Sequence, residues 1–453
     1  MKMKQSEPTE RVPLAMKIGY GVGDLGANLL FQCIGLFLLF YFTDVLGIGA
    51  ALAGTIIMVS KIWDAVTDPL MGSISDRTRS RWGSKRIYLL LGALPMGASF
   101  FMLFYGPPLA GRALHLYALA AFILFCTFYT VVNIPYGALT SAMTLDAQER
   151  ASITGFRMSF AILGTLVVAG ATLILVGLYE TQLEGFRFIG ALYGLAAAVF
   201  TIIAFLSTRE KTGALKKDAA SFREELSFVF KNTPFLILTL ATLLQYIALG
   251  MTAAMVTFFF KYPLAMEEFT PVGFALLFVT AVLFMPFWVY MSNRLGKRPV
   301  FIAGMVIFGG ALLLLYFTYG LGIYAIISLL LIAGAGLSTI YLSPWSMIPD
   351  TVEYSQWKFG ARREGTIYGF FYFTHKVAAA LAGFICGQGL SLAGYVPDAF
   401  QTPLANQGIT ILMTLFPAGV IVLGIIAISF YPITGEMHSG MVAEIAKRES
   451  KAG

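Results

Sequence analysis

Residues 49–86 read GAALAGTIIMVSKIWDAVTDPLMGSISDRTRSRWGSKR, an apolar run followed by a basic loop. As a helix, the run over 49–74 is long enough to cross a bilayer, which takes about 20 residues. Three charges lie inside it, Lys61, Asp64 and Asp68, spaced so that they share one helix face. Charge inside a membrane is costly unless it is paired or hydrated, so these residues indicate a functional site.

Similar apolar runs recur along the whole chain. Of its 453 residues, 58% are hydrophobic and 12% are charged, and the mean hydropathy is +0.78, more apolar surface than a soluble core can bury. Long continuous runs favour helices over the short alternating strands of a β-barrel. We predict an all-α membrane protein with twelve transmembrane helices, near residues 17–45, 49–74, 86–106, 115–143, 152–178, 187–207, 233–261, 270–292, 299–318, 322–349, 366–393 and 408–431.

The loops predict the orientation and the domain organisation. Lysine and arginine concentrate after the second, sixth and eighth spans, whereas the opposite loops contain more glutamate, which places both termini in the cytoplasm. The longest loop is charged and divides the spans into two sets of six. We predict a first half over 1–207, a cytoplasmic linker over 208–232, a second half over 233–431 and a cytoplasmic tail over 432–453.

The motifs argue against an enzyme. Gly21, Gly23 and Gly26 spell GxGxxG, but no strand precedes them, so they predict close helix packing or a bend near Asp24 rather than a nucleotide site. The sequence contains no Walker loop, serine triad or metal-spaced histidine set. The net charge of +7 comes largely from short loops between spans, so we expect a lipid bilayer as partner and no nucleic acid. We predict no enzymatic activity and no cofactor.

The acids of the second span form an oxygen-rich corner with Thr67. Such a corner suits a hard monovalent cation, or a proton shared between two carboxylates that resist double ionisation. Na⁺ at Asp64 and Asp68 is therefore one possibility, and a purely structural ion-pair network around Lys61 is the alternative.

Further polar residues lie in predicted spans of both halves. The charged or hydrogen-bonding ones are Asp24, Thr130, Asn133, Arg157, His375 and Lys376. Tyr341 and Trp345 lie at depths where a sugar ring could stack, although ordinary packing explains most aromatic residues in spans. Opposed charges near the end of the tenth span could gate the halves during transport or form an ordinary cytoplasmic network, and with Lys61 they make up the predicted gating set: Asp350, Glu353, Arg362 and Arg363.

Several motifs together resemble the glycoside-pentoside-hexuronide:cation symporters of the major facilitator superfamily. They are GYGVGDLGANL, WDAVTDPLMGSISDRTRSRWGSKR, NIPYGALTSAMTLDAQERA and PDTVEYSQWKFGARREG, and the resemblance extends over nearly the whole chain. It implies two six-helix halves with a substrate site between them near the bilayer midplane. It also implies a cation site at Asp64, Asp68, Thr67 and Thr130 for Na⁺ or H⁺.

The same resemblance implies a sugar site. Its residues match Asp24, Asn133, Arg157, Lys376 and Tyr341, to which Trp345 and His375 are added from their position. The asparagine of NIPYG and the closing FYPIT look closer to the glucuronide carriers of the family than to its galactoside carriers. The basic residues could then bind an acidic sugar such as a hexuronide, or they could merely neutralise Asp24.

These observations together predict a symporter that moves a sugar or glycoside with Na⁺ or H⁺ by alternating access. We expect a functional monomer in the bacterial inner membrane. A cation-coupled lysolipid carrier is the first alternative, because such carriers share the acidic second-span motif, although the short outer loops argue against it. A membrane sensor that binds solute without moving it is the second, and the sequence offers no large soluble domain to relay a signal.

Overall fold

A computed structural model describes residues 11–144, 147–210, 222–360 and 363–452 of the chain. Every regular element in these ranges is helical. Twelve stretches are long and apolar enough to cross a membrane, which confirms the all-α fold and the number of spans. The helices are α1 (Leu14–Phe40), α2 (Ala50–Arg77), α3 (Arg86–Tyr105), α4 (Gly111–Met143), α5 (Ala147–Val176), α6 (Gln182–Ser207), α7 (Phe222–Lys231), α8 (Thr233–Lys261), α9 (Thr270–Leu295), α10 (Lys297–Thr318), α11 (Ile323–Phe359), α12 (Glu364–Leu392), α13 (Pro403–Met413), α14 (Leu415–Ser429) and α15 (Gly435–Ala452).

Some span boundaries differ from those predicted. The first span ends in a π-helical turn over Tyr41–Val45, and α11 continues to Phe359, well past the predicted end at residue 349. The twelfth span is two helices that meet at Thr414, where φ is −124° and ψ is −72°. Pro417 explains this break, because it has no N–H to donate to the carbonyl four residues earlier.

The chain forms two compact units. Among the described residues, unit 1 contains 11–48, 59–144 and 147–210, and unit 2 contains 49–58, 222–360 and 363–452. The start of α2 therefore belongs to unit 2, whereas the part of α2 that carries Lys61, Asp64 and Asp68 belongs to unit 1. The predicted linker contributes α7, and its residues 211–221 lie outside the described residues.

Unit 1 is held together by glycine contacts between helices. Helix α1 packs against α5 and α6, and α3 packs against α4 and α6. A Cβ atom at Gly97 would lie 2.3 Å from the carbonyl oxygen of Gly194, so α3 and α6 are in direct backbone contact. A Cβ atom at Gly21 or Gly23 would lie 2.6 Å from Phe160 or Tyr136, respectively. The GxGxxG motif thus serves helix packing, as predicted.

Unit 2 contains the remaining spans and the two further helices α7 and α15. Helix α11 packs against α9 and α10, and α8 packs against α12 and α14. The linker helix α7 contacts α8 and α12, and the tail helix α15 lies on α11. The end of α11 is therefore covered by the tail.

Replacement of Gly97 by alanine should destabilise unit 1 by about 1–3 kcal/mol, because the added methyl group meets backbone that cannot rotate away. Gly35 is the matched control: it is an exposed helical glycine with no atom within 4 Å of a built Cβ. Gly35→Ala should be neutral or slightly stabilising. Thermal unfolding of both purified variants in detergent measures the difference, and equal midpoints would contradict the close α3–α6 contact.

Candidate functional site

The two acids of α2 meet a hydroxyl of α4 inside unit 1. Thr130 Oγ1 lies 2.9 Å from Asp64 Oδ1 and 2.8 Å from Asp68 Oδ1. Asp64 is buried, with 2% of its surface exposed. The threonine hydroxyl has one hydrogen and cannot donate fully to both carboxylates. The arrangement is therefore suited to one additional proton or one small cation near the acids.

Lys61 lies beside this acid group. Its Nζ is 4.0 Å from Asp64 Oδ2 and faces the rings of Phe31 and Phe122, at 5.2 Å and 5.7 Å from their centroids. Lysine and two ionised carboxylates sum to one negative charge. Lys61 therefore contacts the acid group of α2. Asp350 and Glu353, which the sequence analysis placed with Lys61 in the predicted gating set, have other partners.

Thr67 forms different contacts from those of Thr130. Its hydroxyl donates to backbone oxygens of its own helix, those of Trp63 at 3.0 Å and of Asp64 at 3.1 Å. The hydrogen of Thr67 is therefore not directed to a carboxylate, and only its oxygen lone pairs are available to a cation. Its role as a cation ligand stays a prediction.

A second buried group joins α1, α4 and α5. Arg157 Nε lies 2.5 Å from Asp24 Oδ2, and Arg157 Nη2 lies 3.3 Å from Asp24 Oδ1. The Tyr136 hydroxyl lies 2.5 Å from the backbone oxygen of Tyr20 and 3.1 Å from Asp24 Oδ2, so its one hydrogen is shared between them, and Arg157 donates to Thr140 at 3.2 Å. The guanidinium also lies over the rings of Tyr20 and Tyr136, at 5.3 Å and 4.9 Å from their centroids. Arg157 therefore neutralises Asp24 in this structure, as one of the two interpretations from sequence expected.

Helix α4 connects these two groups. Thr130 contacts the acids of α2, Tyr136 contacts Asp24, and Asn133 lies between them at a spacing of three residues. Six residues of helix correspond to about 9 Å. Asn133 is half-buried, and its position on α4 places it between the predicted cation residues and the predicted sugar residues of unit 1.

The predicted site residues of unit 2 are drawn together differently. Trp345 of α11 and His375 of α12 are neighbours, with ring centroids 5.6 Å apart. Tyr341 and Lys376 are half-buried on the same two helices. Sequence reasoning missed Tyr246 of α8, whose ring lies 3.9 Å from that of His375. The polar pair Gln245 and Tyr246 inside an apolar run was the available signal.

The acids at the end of α11 contact groups that the predicted gating set did not include. Asp350 pairs with Lys297 at 2.6 Å and 2.8 Å, and His438 of the tail lies 2.6 Å from Glu353 and 3.5 Å from Asp350. Arg363 lies over Phe228 of α7 at 5.0 Å from its centroid, and Arg362 lies outside the described residues. The network thus joins the tail to α11 within unit 2.

A sequence model described as MFS/sugar transport protein matches residues 19–435. The chain belongs to this family. The match covers most of the chain and confirms the resemblance found in the motifs of the sequence.

Known relatives of this MFS sugar transporter are similar over nearly their full lengths. It is 33% identical to an uncharacterised symporter, YnaJ of Bacillus subtilis (strain 168), over 98% of this chain and 97% of that protein. A proposed sulfoquinovose importer of Escherichia coli (strain K12) is 30% identical over 98% and 96%. A glucuronide carrier protein homologue from the same strain is 30% identical over 95% of each chain.

Solved structures share the fold at low sequence identity. The nucleoside transporter NupG aligns with a TM-score of 0.62 at 15% identity, covering 92% of this chain and 100% of its own. A bacterial homologue of the lysosomal transporter Spinster aligns with a TM-score of 0.67 at 13% identity, covering 95% and 97%. These similarities support the twelve-span transporter fold alone, and both neighbours are transporters.

Breaking the pair between Asp24 and Arg157 in this MFS sugar transporter should be strongly destabilising. Asp24→Asn should cost about 3–5 kcal/mol, because it leaves a buried guanidinium without its counter-charge. The double variant with Arg157→Gln should recover part of this loss. Thermal unfolding in detergent tests both, and Glu180→Gln, at an exposed residue outside the pair, is the control with little expected effect. A double variant no more stable than Asp24→Asn would argue against direct pairing.

Docking of the tail helix α15 should weaken at acid pH, when Glu444 becomes protonated. Trp357 Nε1 donates to its carboxylate at 2.6 Å and Arg448 at 2.5 Å, and these bonds lower the pKa of Glu444. A lowered pKa means that the stabilisation is present above the ordinary glutamate pKa and is lost as the pH falls through the lowered value. Hydrogen exchange of the α15 amides, corrected for intrinsic rates, should accelerate in that acidic range.

The variant Glu444→Gln should show faster α15 exchange at neutral pH and a weaker acid dependence. Glu436 in the first turn of α15 is exposed, so Glu436→Gln is the matched control and should behave as the wild type. Identical exchange in both variants would show that Glu444 does not anchor the tail.

Proposed function

We propose that the protein is a symporter that moves an acidic sugar together with one monovalent cation or proton by alternating access. The observation that carries this proposal is the acid group of α2, in which Asp64 and Asp68 share the hydroxyl of Thr130. The family and its named relatives support sugar transport. The acid group supports the other part of the proposal, the coupling of transport to a cation.

The charge of the acid group favours a single monovalent cation. Two carboxylates at one hydroxyl repel each other unless one is protonated or a cation lies between them. With Lys61 at 4.0 Å, one added positive charge makes the group neutral. Carboxylate and hydroxyl oxygens suit Na⁺ as well as a proton, and Thr67 is proposed to add its oxygen to a bound Na⁺.

Helix α4 is proposed to couple the cation to the sugar. A cation held by the acids changes the partner of Thr130, and Asn133 and Tyr136 follow on the same helix toward Asp24 and Arg157. Sugar bound to Asp24, Asn133 and Arg157 would therefore be affected by occupancy of the acid group. By linkage, each ligand must change the affinity for the other by the same factor.

An acidic substrate is supported by the spare donors of Arg157. Its guanidinium has five N–H groups, and the contacts with Asp24 and Thr140 use three of them. Two N–H groups remain for a carboxylate or sulfonate while the pair with Asp24 persists. Lys376 on α12 stays a predicted substrate residue, and the names of two relatives, for sulfoquinovose and glucuronides, point to the same substrate class.

The remaining expectations are part of the same proposal. The basic loops favour a protein of the bacterial inner membrane with both termini in the cytoplasm. One chain contains both units, so a monomer is proposed to transport. Asp350, Glu353 and the tail at the end of α11 are proposed to hold one conformation of the carrier.

Asp68→Asn should abolish sugar accumulation driven by a sodium or proton gradient, because the acid group would lose the charge that attracts the cation. The measurement is uptake by purified protein in liposomes, using glucuronate, sulfoquinovose and neutral glycosides under imposed gradients. Glu180→Gln, at an exposed residue between α5 and α6, should accumulate sugar like the wild type.

Full gradient-driven accumulation by Asp68→Asn would refute the role of the acid group. Accumulation of neutral glycosides alone by the wild type would keep the carrier and remove the acidic substrate. Wild-type protein that moves no sugar under any gradient would contradict the proposed function.

A further inference from the structure

An aromatic pocket in unit 2 surrounds one imidazole. Tyr246 of α8, Trp345 of α11, and Phe371 and Tyr372 of α12 enclose His375, and we call these five residues the histidine box. Their ring centroids lie 3.9 Å, 5.6 Å, 4.9 Å and 6.4 Å from that of His375, in the order named. Side chains from three helices, α8, α11 and α12, therefore converge on a single imidazole.

The hydrogen bonds of His375 fix its tautomer. Its Nδ1 lies 3.0 Å from the backbone oxygen of Phe371, and a carbonyl oxygen only accepts, so Nδ1 must carry the hydrogen. In the neutral ring Nε2 is then a bare acceptor. No carboxylate belongs to the box and Lys376 is the next residue, so an imidazolium would have no counter-charge within the box.

The acceptor of His375 is buried and has no hydrogen-bond partner among the described residues. A buried polar atom without a partner costs about 1–3 kcal/mol, which native structures avoid by binding water or a ligand there. The missing partner must be a donor. A hydroxyl group fits this requirement, whereas a carboxylate or sulfonate has no hydrogen to give.

The other walls of the box suit the apolar face of a ring. Tyr246 and Trp345 are half-buried, and Tyr372 is 55% exposed, so the box is open on one side. Aromatic rings of this kind offer broad, rigid apolar surfaces against which a flat ring can pack. A nitrogen that accepts a hydrogen bond from a hydroxyl, placed beside aromatic faces, can recognise a hydroxylated ring.

We propose that the histidine box binds the hydroxylated ring of the sugar, with a ring hydroxyl donating to His375 Nε2 and the ring lying against Tyr246 and Trp345. This inference rests on the proposed function and deepens it. It assigns His375 to the recognition of a ring hydroxyl. Tyr246 becomes a sugar-binding residue that the sequence did not reveal.

The test is equilibrium binding of glucuronate and sulfoquinovose to the full-length protein in detergent, together with their monodeoxy derivatives. His375→Phe keeps an aromatic ring but removes the acceptor, and should weaken binding about tenfold. His375→Gln retains an acceptor oxygen and should recover part of the affinity. Phe373→Leu is the matched control, because Phe373 is 46% exposed next to Tyr372 and lies outside the box.

The monodeoxy derivatives identify the hydrogen bond itself. One of them should bind the wild type about tenfold more weakly than its parent, and His375→Phe should not distinguish it from the parent. Tyr246→Leu should weaken all the sugars alike, because it removes a packing surface that all of them share. Unchanged thermal unfolding of each variant shows that the loss is one of binding.

Two results would contradict sugar binding at the histidine box while leaving the proposed function intact. One is wild-type affinity in His375→Phe, and the other is a deoxy penalty that persists in that variant. Absence of binding and transport of every sugar by the wild type would instead contradict the proposed function, and it is measured before any variant is made.

Discussion

A charge placed inside a bilayer must have a partner, and the interior of this protein is arranged around that constraint. Arg157 is matched by Asp24, and Lys61 faces one of the two acids of α2. Desolvation makes each of these groups intolerant of losing its partner. The helices that carry them are consequently fixed in position, and close glycine contacts such as that of Gly97 with Gly194 let the backbones approach near enough.

The constraint also explains why α4 is central to unit 1. It carries no charge in its middle, but its hydroxyl and amide side chains lie between two charged groups that belong to other helices. Thr130 contacts the carboxylates of Asp64 and Asp68, and Tyr136 contacts that of Asp24. A change of charge at either end therefore alters the contacts of the same rigid helix, which is the physical requirement for communication between two ligands.

The sequence predicted those features that depend on local spacing. The spans follow from the length of apolar runs, and the shared face of Asp64 and Asp68 follows from the helical repeat. The sequence did not predict which side chains contact each other, because such contacts join residues far apart in the chain. Examples are the contacts of Tyr246 with His375 and of His438 with Glu353. The hydroxyl of Thr67 was also unpredictable, since a threonine in a helix can bond either to its own backbone or to a neighbour. The break at Thr414 was readable in principle from Pro417.

The capacity of the acid group for a single monovalent cation has an electrical consequence. Under the proposed function, an acidic sugar with one negative charge crosses the membrane with one monovalent cation, and the transported pair has no net charge. The membrane voltage then does no net work over the transport cycle, because electrical work scales with the charge that is moved. A cell would drive such uptake by the concentration gradient of the cation, so import could continue at a collapsed membrane potential.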